Sequence, residues 1–158
     1  MAATNPSKDT QLRVSDYPFY YMWHIATESQ RRVREAIAPY GISWQDWRII
    51  FLLEERDGAT VNELAKEALI DSTALSRILS SLEKRNLVKR EKQAGDQRYT
   101  QVFLTDNGRS VYQEIIPIPV RQLESALHGF SDSDKQTLDR LLRKMRDNVY
   151  RSPYANPD

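Results

Sequence analysis

Cysteine is absent from the 158-residue chain. That single absence excludes disulfides, thiolate zinc sites, cysteine nucleophiles and thiol-based redox sensing. Histidine is scarce: His24 and His128 stand far apart with no HExxH-like spacing, so no metal site is expected. Long apolar runs are missing too, none approaching the roughly 20 residues that cross a bilayer, so no membrane partner is expected. Met1 to Val14 is polar, with Pro6 and Lys8 and no continuous apolar segment. Nothing there marks the chain for secretion, and the cytoplasm is the expected location. Glu54 and Glu55 are adjacent, so on a helix they point in different directions and make a poor acid/base pair. With no nucleophile and base set and no phosphate loop, neither an enzyme nor a cofactor is expected.

What remains is a chain of one ordinary domain, or of one small domain with long helical extensions. Hydrophobic residues make up 40% and charged ones 28%. The net charge of +1 hides an uneven distribution. Residues 1–70 carry 8 basic and 10 acidic side chains, residues 71–98 carry 7 and 4, and residues 99–158 carry 8 and 8. The basic surplus sits in one segment.

Hydrophobic spacing divides the chain into helices with recognisable ends. Tyr17 to Pro39 reads as a first helix, begun by Pro18 and closed by Pro39, Tyr40 and Gly41. Ser43 with Asp46 three residues on marks the start of a second, carrying Trp47, Ile50, Phe51 and Leu53 and stopping near Asp57 and Gly58. Thr60 and Glu63 have the spacing of a capping box, and Val61, Leu64, Ala65 and Ala68 form the single stripe of a short third helix. Asp71 or Ser72 caps a fourth. Two short helices joined through Leu69, Ile70 and Asp71 read as a helix-turn-helix.

The fourth helix carries two stripes. At 100° per residue, Leu75, Ile78, Leu79 and Leu82 cluster on one side and Thr73, Ser76, Arg77 and Ser80 on the other. A merely solvated face would carry long Glu and Lys pairs. This one is small and hydroxylated around one arginine, a surface able to approach a groove closely. A protein-binding helix, the competing reading, calls for apolar residues where Ser76 and Ser80 stand.

Lys84 and Arg85 end that helix, with Asn86 where a left-handed residue is expected. Leu87 to Gln93 and Arg98 to Leu104 follow as strands, with basic side chains on one face either at Lys89 or at Arg90 and Lys92. Ala94 to Gln97 is the turn of this hairpin. Thr105 opens a fifth helix interrupted by Pro117 and Pro119, where a kink or break is expected. Ser131 and Asp134 cap the last, strongly amphipathic helix, with Leu138, Leu141, Leu142, Met145 and Val149 on its apolar side.

The runs TVNELAKEA from Thr60, DSTALSRILSSLEKRNLV from Asp71 and GDQRYTQVFLTDNG from Gly95 resemble the MarR family of bacterial transcription regulators. The most specific mark is the wing motif Asp96, Arg98, Leu104, Thr105 and Gly108. Leu69 and Asn86 stand where the family has glycine. The resemblance implies a mainly α fold with a small β-wing: a winged helix-turn-helix at 42–105, dimerisation helices at 17–41 and 106–150, a flexible arm at 1–16 and a polar tail at 151–158. It further implies that Arg98 enters the minor groove of DNA and that Asp96 holds its side chain. Helix and wing together nominate Ser72, Thr73, Ser76, Arg77, Ser80, Lys84, Arg90, Lys92, Asp96 and Arg98 as contacts to double-stranded DNA.

One recognition helix covers only a few base pairs, so a homodimer on a palindromic operator is expected. Repression, relieved by a small ligand, is the mode that the resemblance implies. Five of the fifteen aromatic residues fall between Tyr17 and Trp23. Tyr20, Tyr21, Trp23, His24, Trp44, Trp47 and Arg48 are the candidates for an effector site, an aromatic wall with one cation that suits a small aromatic or phenolic ligand. The alternative function is a winged-helix module that binds protein without specific DNA binding.

Overall fold

Five of the helices start where a side chain takes up an orphan amide, whereas the first has no side-chain cap at Tyr17 and opens on Pro18, which lacks the amide. The computed structural model describes residues 13–14, 17–93 and 96–151, except for the side chains of Gln93, Asp96 and Gln97. Ala94 and Gly95 of the expected hairpin turn, most of the arm and nearly all of the tail lie outside the described residues, whereas Asp96 and Gln97, expected in that turn, are strand because Asp96 already pairs with Gln93. α1 (Pro18–Ile37) passes into a 3-10 turn, Ala38–Tyr40, and Gly41 closes it at φ 67°. α2 (Trp44–Glu55) begins at Ser43, whose hydroxyl accepts the Asp46 N–H at 3.1 Å while the Asp46 carboxylate accepts the Ser43 N–H at 3.0 Å. α3 (Val61–Ala68) carries the same reciprocal box between Thr60 and Glu63, and Asp71 caps α4 (Ser72–Lys84) by accepting the Ala74 N–H at 2.9 Å.

Both helices of the helix-turn-helix stop in the left-handed region without glycine. Leu69 adopts φ 51° and Asn86 φ 55°. The following amides reach back across the turn, Ile70 N–H to Ala65 O at 3.0 Å and Leu87 N–H to Leu82 O at 2.9 Å. These bonds satisfy carbonyls that the helix end would otherwise orphan. Leu69 is 72% exposed, so solvent accommodates its side chain.

The sheet has the order β1-β3-β2, with β1 (Ala59–Thr60), β2 (Val88–Gln93) and β3 (Asp96–Leu104) all antiparallel. β1 adds to the expected hairpin. Val88 faces Leu104 and Arg90 faces Val102, which places Arg90 and Lys92 on the side of the sheet that covers the core. Lys89 lies on the other side, paired with Glu91 at 2.7 Å and 5.5 Å from the centroid of the Phe103 ring.

Ile37, Ile49, Ile50, Leu53, Leu75, Leu79, Leu82, Val102 and Ile115 are fully buried and join four helices to the sheet. Each such side chain contributes roughly 1.5–3 kcal/mol through burial, so this core holds the helix-turn-helix in place. α5 (Asp106–Ile115) is capped by Thr105 and ends at Ile116. Pro117 opens α6 (Pro117–Ala126), so the expected interruption is a break at Ile116. Pro119 causes no second break because it lies in the first turn, where no intrahelical donor is required.

The chain divides between Pro119 and Val120 into two units. In the second, Ser131 and Asp134 cap α7 (Asp132–Arg151) as their spacing predicts. Leu138, Leu141, Leu142 and Val149 of α7 are all exposed, an apolar stripe left uncovered. No helix among the described residues is long and apolar enough to cross a membrane.

Candidate nucleic-acid interface

α4 is anchored by Leu75, Leu79 and Leu82 at 0% exposure, and its opposite side lines a shallow groove with Thr73, Ser76, Arg77, Ser80, Ser81, Lys84 and Arg85. Thr73, Ser76, Arg77 and Lys84 are exposed and Ser80 is half-buried. Ser72, the first residue of α4, is exposed but does not line the groove. Among the described residues, Arg77 and Lys84 make no ion pair, so their charge is offered to solvent. The Ser76 hydroxyl donates to Ser72 O and the Ser80 hydroxyl to Ser76 O, each at 2.9 Å. With their hydrogens engaged in this way the serines offer acceptor oxygens outward, and donation to an anion requires the hydroxyl hydrogen to rotate off the backbone carbonyl.

Two groove residues, Ser81 and Arg85, were not among the sequence candidates. Ser81 follows Arg77 by one helical turn, so extending the polar stripe to the end of α4 finds it. Arg85 turns its guanidinium away from the groove, to Asp46 at 3.0 Å and to Gly41 O at 2.8 Å.

The sheet register explains where the wing's cations go. Arg90 emerges toward α4, and its guanidinium donates to Glu83, with a longer contact of 3.4 Å to Ser80 Oγ. That hydrogen bond holds the Glu83 carboxyl below its ordinary range. Lys92 donates to Thr100 Oγ1 at 3.3 Å. Arg98 is exposed on β3. Its expected brace by Asp96 falls on a side chain outside the described residues.

The effector candidates fall into two groups of rings. Along α1, Tyr20 contacts His24 at 4.4 Å and Tyr21 at 5.4 Å, and Trp23 contacts His24 at 4.9 Å. Tyr20 and Trp23, with Arg13, Val14, Tyr17 and Phe19, line an open cavity of about 410 Å³. On α2, Trp47 is buried and stacks on Tyr112 of α5, with centroids 5.7 Å apart and planes 12° apart. Trp44 and Arg48 are half-buried, and Trp44 packs at the edge of the core. Burial pushes the Tyr112 phenol up, with the Glu54 carboxylate adding to the shift.

The MarR family model matches residues 40–98, the span from the end of the 3-10 turn to Arg98. The transcriptional regulator YdgJ of Bacillus subtilis is 32% identical over 109 residues, covering 69% of this chain and 66% of its own. A MarR-family regulator from Silicibacter pomeroyi superposes with a TM-score of 0.80 at 26% identity, over 89% of this chain and 94% of that one. NadR, solved in complex with 4-hydroxyphenylacetate, gives a TM-score of 0.75 at 26% identity, over 89% and 97%. The helix-turn-helix, the wing and these likenesses agree: the chain belongs to the MarR family of winged helix-turn-helix transcriptional regulators, which bind DNA.

Proposed function

We propose that the chain is a sequence-specific repressor, not an enzyme, which binds a palindromic operator as a homodimer in the cytoplasm and is released by a small aromatic or phenolic ligand. The observation that carries this reading is the carboxylate-free face of α4, where Thr73, Ser76, Arg77 and Lys84 stand exposed on a helix whose other side is locked into the core. Arg77 suits a guanine edge, Ser72, Thr73, Ser76, Ser80 and Lys84 suit phosphates, and Arg98 on the wing suits a narrow minor groove, with Asp96 as its brace. Arg90 and Lys92 flank this grip, Arg90 only by leaving Glu83.

Residues 42–105 form the DNA-reading head, and residues 17–41 and 106–150 the dimer contacts. The uncovered apolar residues Phe19, Tyr21, Trp23 and Ile25 of α1 and Leu138, Leu141, Leu142 and Val149 of α7 support the dimer, since faces of this kind are seldom left to water. Two heads related by a two-fold axis would meet half-sites about 34 Å apart. For the ligand, the Tyr20 and Trp23 cavity with Arg13 offers rings and one cation, which match the phenol and the carboxylate of the molecule bound to NadR. Selection from random genomic fragments tests the whole reading. Recovery of an inverted repeat supports it; binding without sequence preference would leave a protein-interaction module as the better account.

A further inference from the structure

Arg85 stands on the rim of the α4 groove, yet its planar end points to the corner where α1 gives way to α2. Nη1 donates to Asp46 Oδ2 at 3.0 Å and Nη2 donates to Gly41 O at 2.8 Å, partners 39 and 44 residues away in sequence. Asp46 is the buried charged residue among the described residues, at 7% exposure. The same Oδ2 accepts the Ser43 N–H that starts α2. A carboxylate so enclosed is costly unless paired, and Arg85 supplies the charge. Gly41 is the left-handed residue that ends the α1 segment. One guanidinium therefore holds the end of one element, the start of the next and the tail of α4. Its fixed fork sets direction as well as distance, which the single ammonium of a lysine does not.

We propose that Arg85 is a positioning residue for DNA reading: its fork to Asp46 and Gly41 sets the tilt of α4 against the α1–α2 corner, so that a shift of α1 is passed to the reading helix. The proposal rests on α4 being the helix that reads DNA. It separates Arg85 from its neighbours Arg77 and Lys84, whose charges face outward.

The test uses the full chain, the duplex recovered by selection and the variants Asp46→Asn, Arg85→Gln and Arg85→Lys. Asp46→Asn keeps an acceptor for Ser43 but removes the charge from a site away from the groove. Each variant should bind the selected duplex about 5- to 50-fold more weakly. The preference over random DNA should fall and the salt slope should stay that of the wild type, because no phosphate contact is lost. Combining Asp46→Asn with Arg85→Gln should cost no more than either alone. Arg85→Gln lowering the salt slope by about 1 while Asp46→Asn binds normally would make Arg85 a phosphate contact and overturn the proposal. Full activity in Arg85→Lys would overturn it as well, and that variant decides the matter if Asp46→Asn does not fold. Amide exchange in the free protein needs no DNA: Arg85→Gln should speed it together in the last turn of α4 and at Gly41 and Ile42. Unchanged exchange in both segments also overturns the fork. A wild type that selects no duplex would defeat the reading of α4 instead, a failure distinguishable from either.

Discussion

The α-carbon of Gly108 faces the backbone of Leu87 so closely that a Cβ added there would stand 2.0 Å from the Leu87 carbonyl oxygen. The same oxygen accepts the Thr105 N–H at 3.1 Å, and the Thr105 hydroxyl donates to Asn86 O at 2.6 Å while accepting the Gly108 N–H at 3.0 Å. The Leu104, Thr105 and Gly108 pattern is thus a splice between the start of α5 and the corner at which α4 turns into β2. Gly108→Ala must move backbone, since the obstacle is a carbonyl and not a flexible side chain. It should destabilise the protein by about 1–3 kcal/mol, read as a lower midpoint in urea. An unchanged midpoint would mean that the corner yields easily.

Leu69 should behave in the opposite sense. A leucine at φ 51° carries a left-handed penalty of roughly 1–2 kcal/mol, and at 72% exposure it loses little packing when removed. Leu69→Gly is expected to raise stability by about 0.5–1 kcal/mol after the greater freedom of the unfolded chain is counted. A loss of stability would show that the exposed side chain makes a contact worth more than the strain.

These two positions mark where the sequence is legible. Ser43 with Asp46, Thr60 with Glu63 and Ser131 with Asp134 can be recognised without a structure because a cap joins residues three apart. The left-handed state of Asn86 is legible for a different reason, as a residue type that tolerates it. Leu69 is not, because leucine disfavours what the fold imposes. β1 escapes notice because two residues become a strand only through pairing with Gln101 and Val102. Arg90 looks like one more wing cation until the register turns it toward Glu83, and Arg85 looks like a helix-terminal charge until Asp46 arrives from 39 residues away. The seven effector candidates share an aromatic character, but Trp47 is buried against Tyr112 while Trp23 is 63% exposed on α1.

The Glu63 carboxyl lies below its ordinary 4.5, first through the Thr60 backbone N–H, then the Thr60 hydroxyl, with Arg56 adding to the shift. A depressed carboxylate contributes stability that is complete above the unfolded value and disappears as pH falls through the folded one. Acid titration of the melting temperature should therefore show a decline below about pH 4.5 that is shallower in Glu63→Gln. Parallel curves for the two proteins would remove the capping box from the account of acid sensitivity.

Glu83 holds Arg90 against α4, and this pair decides whether the wing has a further cation to give. In Glu83→Gln the guanidinium loses its charged partner. Affinity for random duplex should rise severalfold, and the salt slope should steepen by about 1 as Arg90 takes a phosphate. A weaker complex with an unaltered slope would instead make the pair a brace that orients the wing, and Arg90 would leave the set of DNA contacts.

Arg77 and Arg98 are expected to differ in kind. Arg77 emerges from the middle of α4 with Thr73 and Ser80 on either side, the placement of a base-reading group, so Arg77→Ala should cost about 1–3 kcal/mol on the selected site and much less on random DNA. Arg98 lies on the wing, where a narrow minor groove attracts a guanidinium through its potential and width. Arg98→Ala should lose a similar amount, about 1–3 kcal/mol, while leaving the oligomeric state untouched. Its loss should depend on the A·T content flanking each half-site and not on one base pair. Comparing both variants across a panel of half-sites separates the roles: equal losses on every sequence from Arg77→Ala would make it a phosphate contact, and a flat response to flanking sequence from Arg98→Ala would remove the wing from the minor groove.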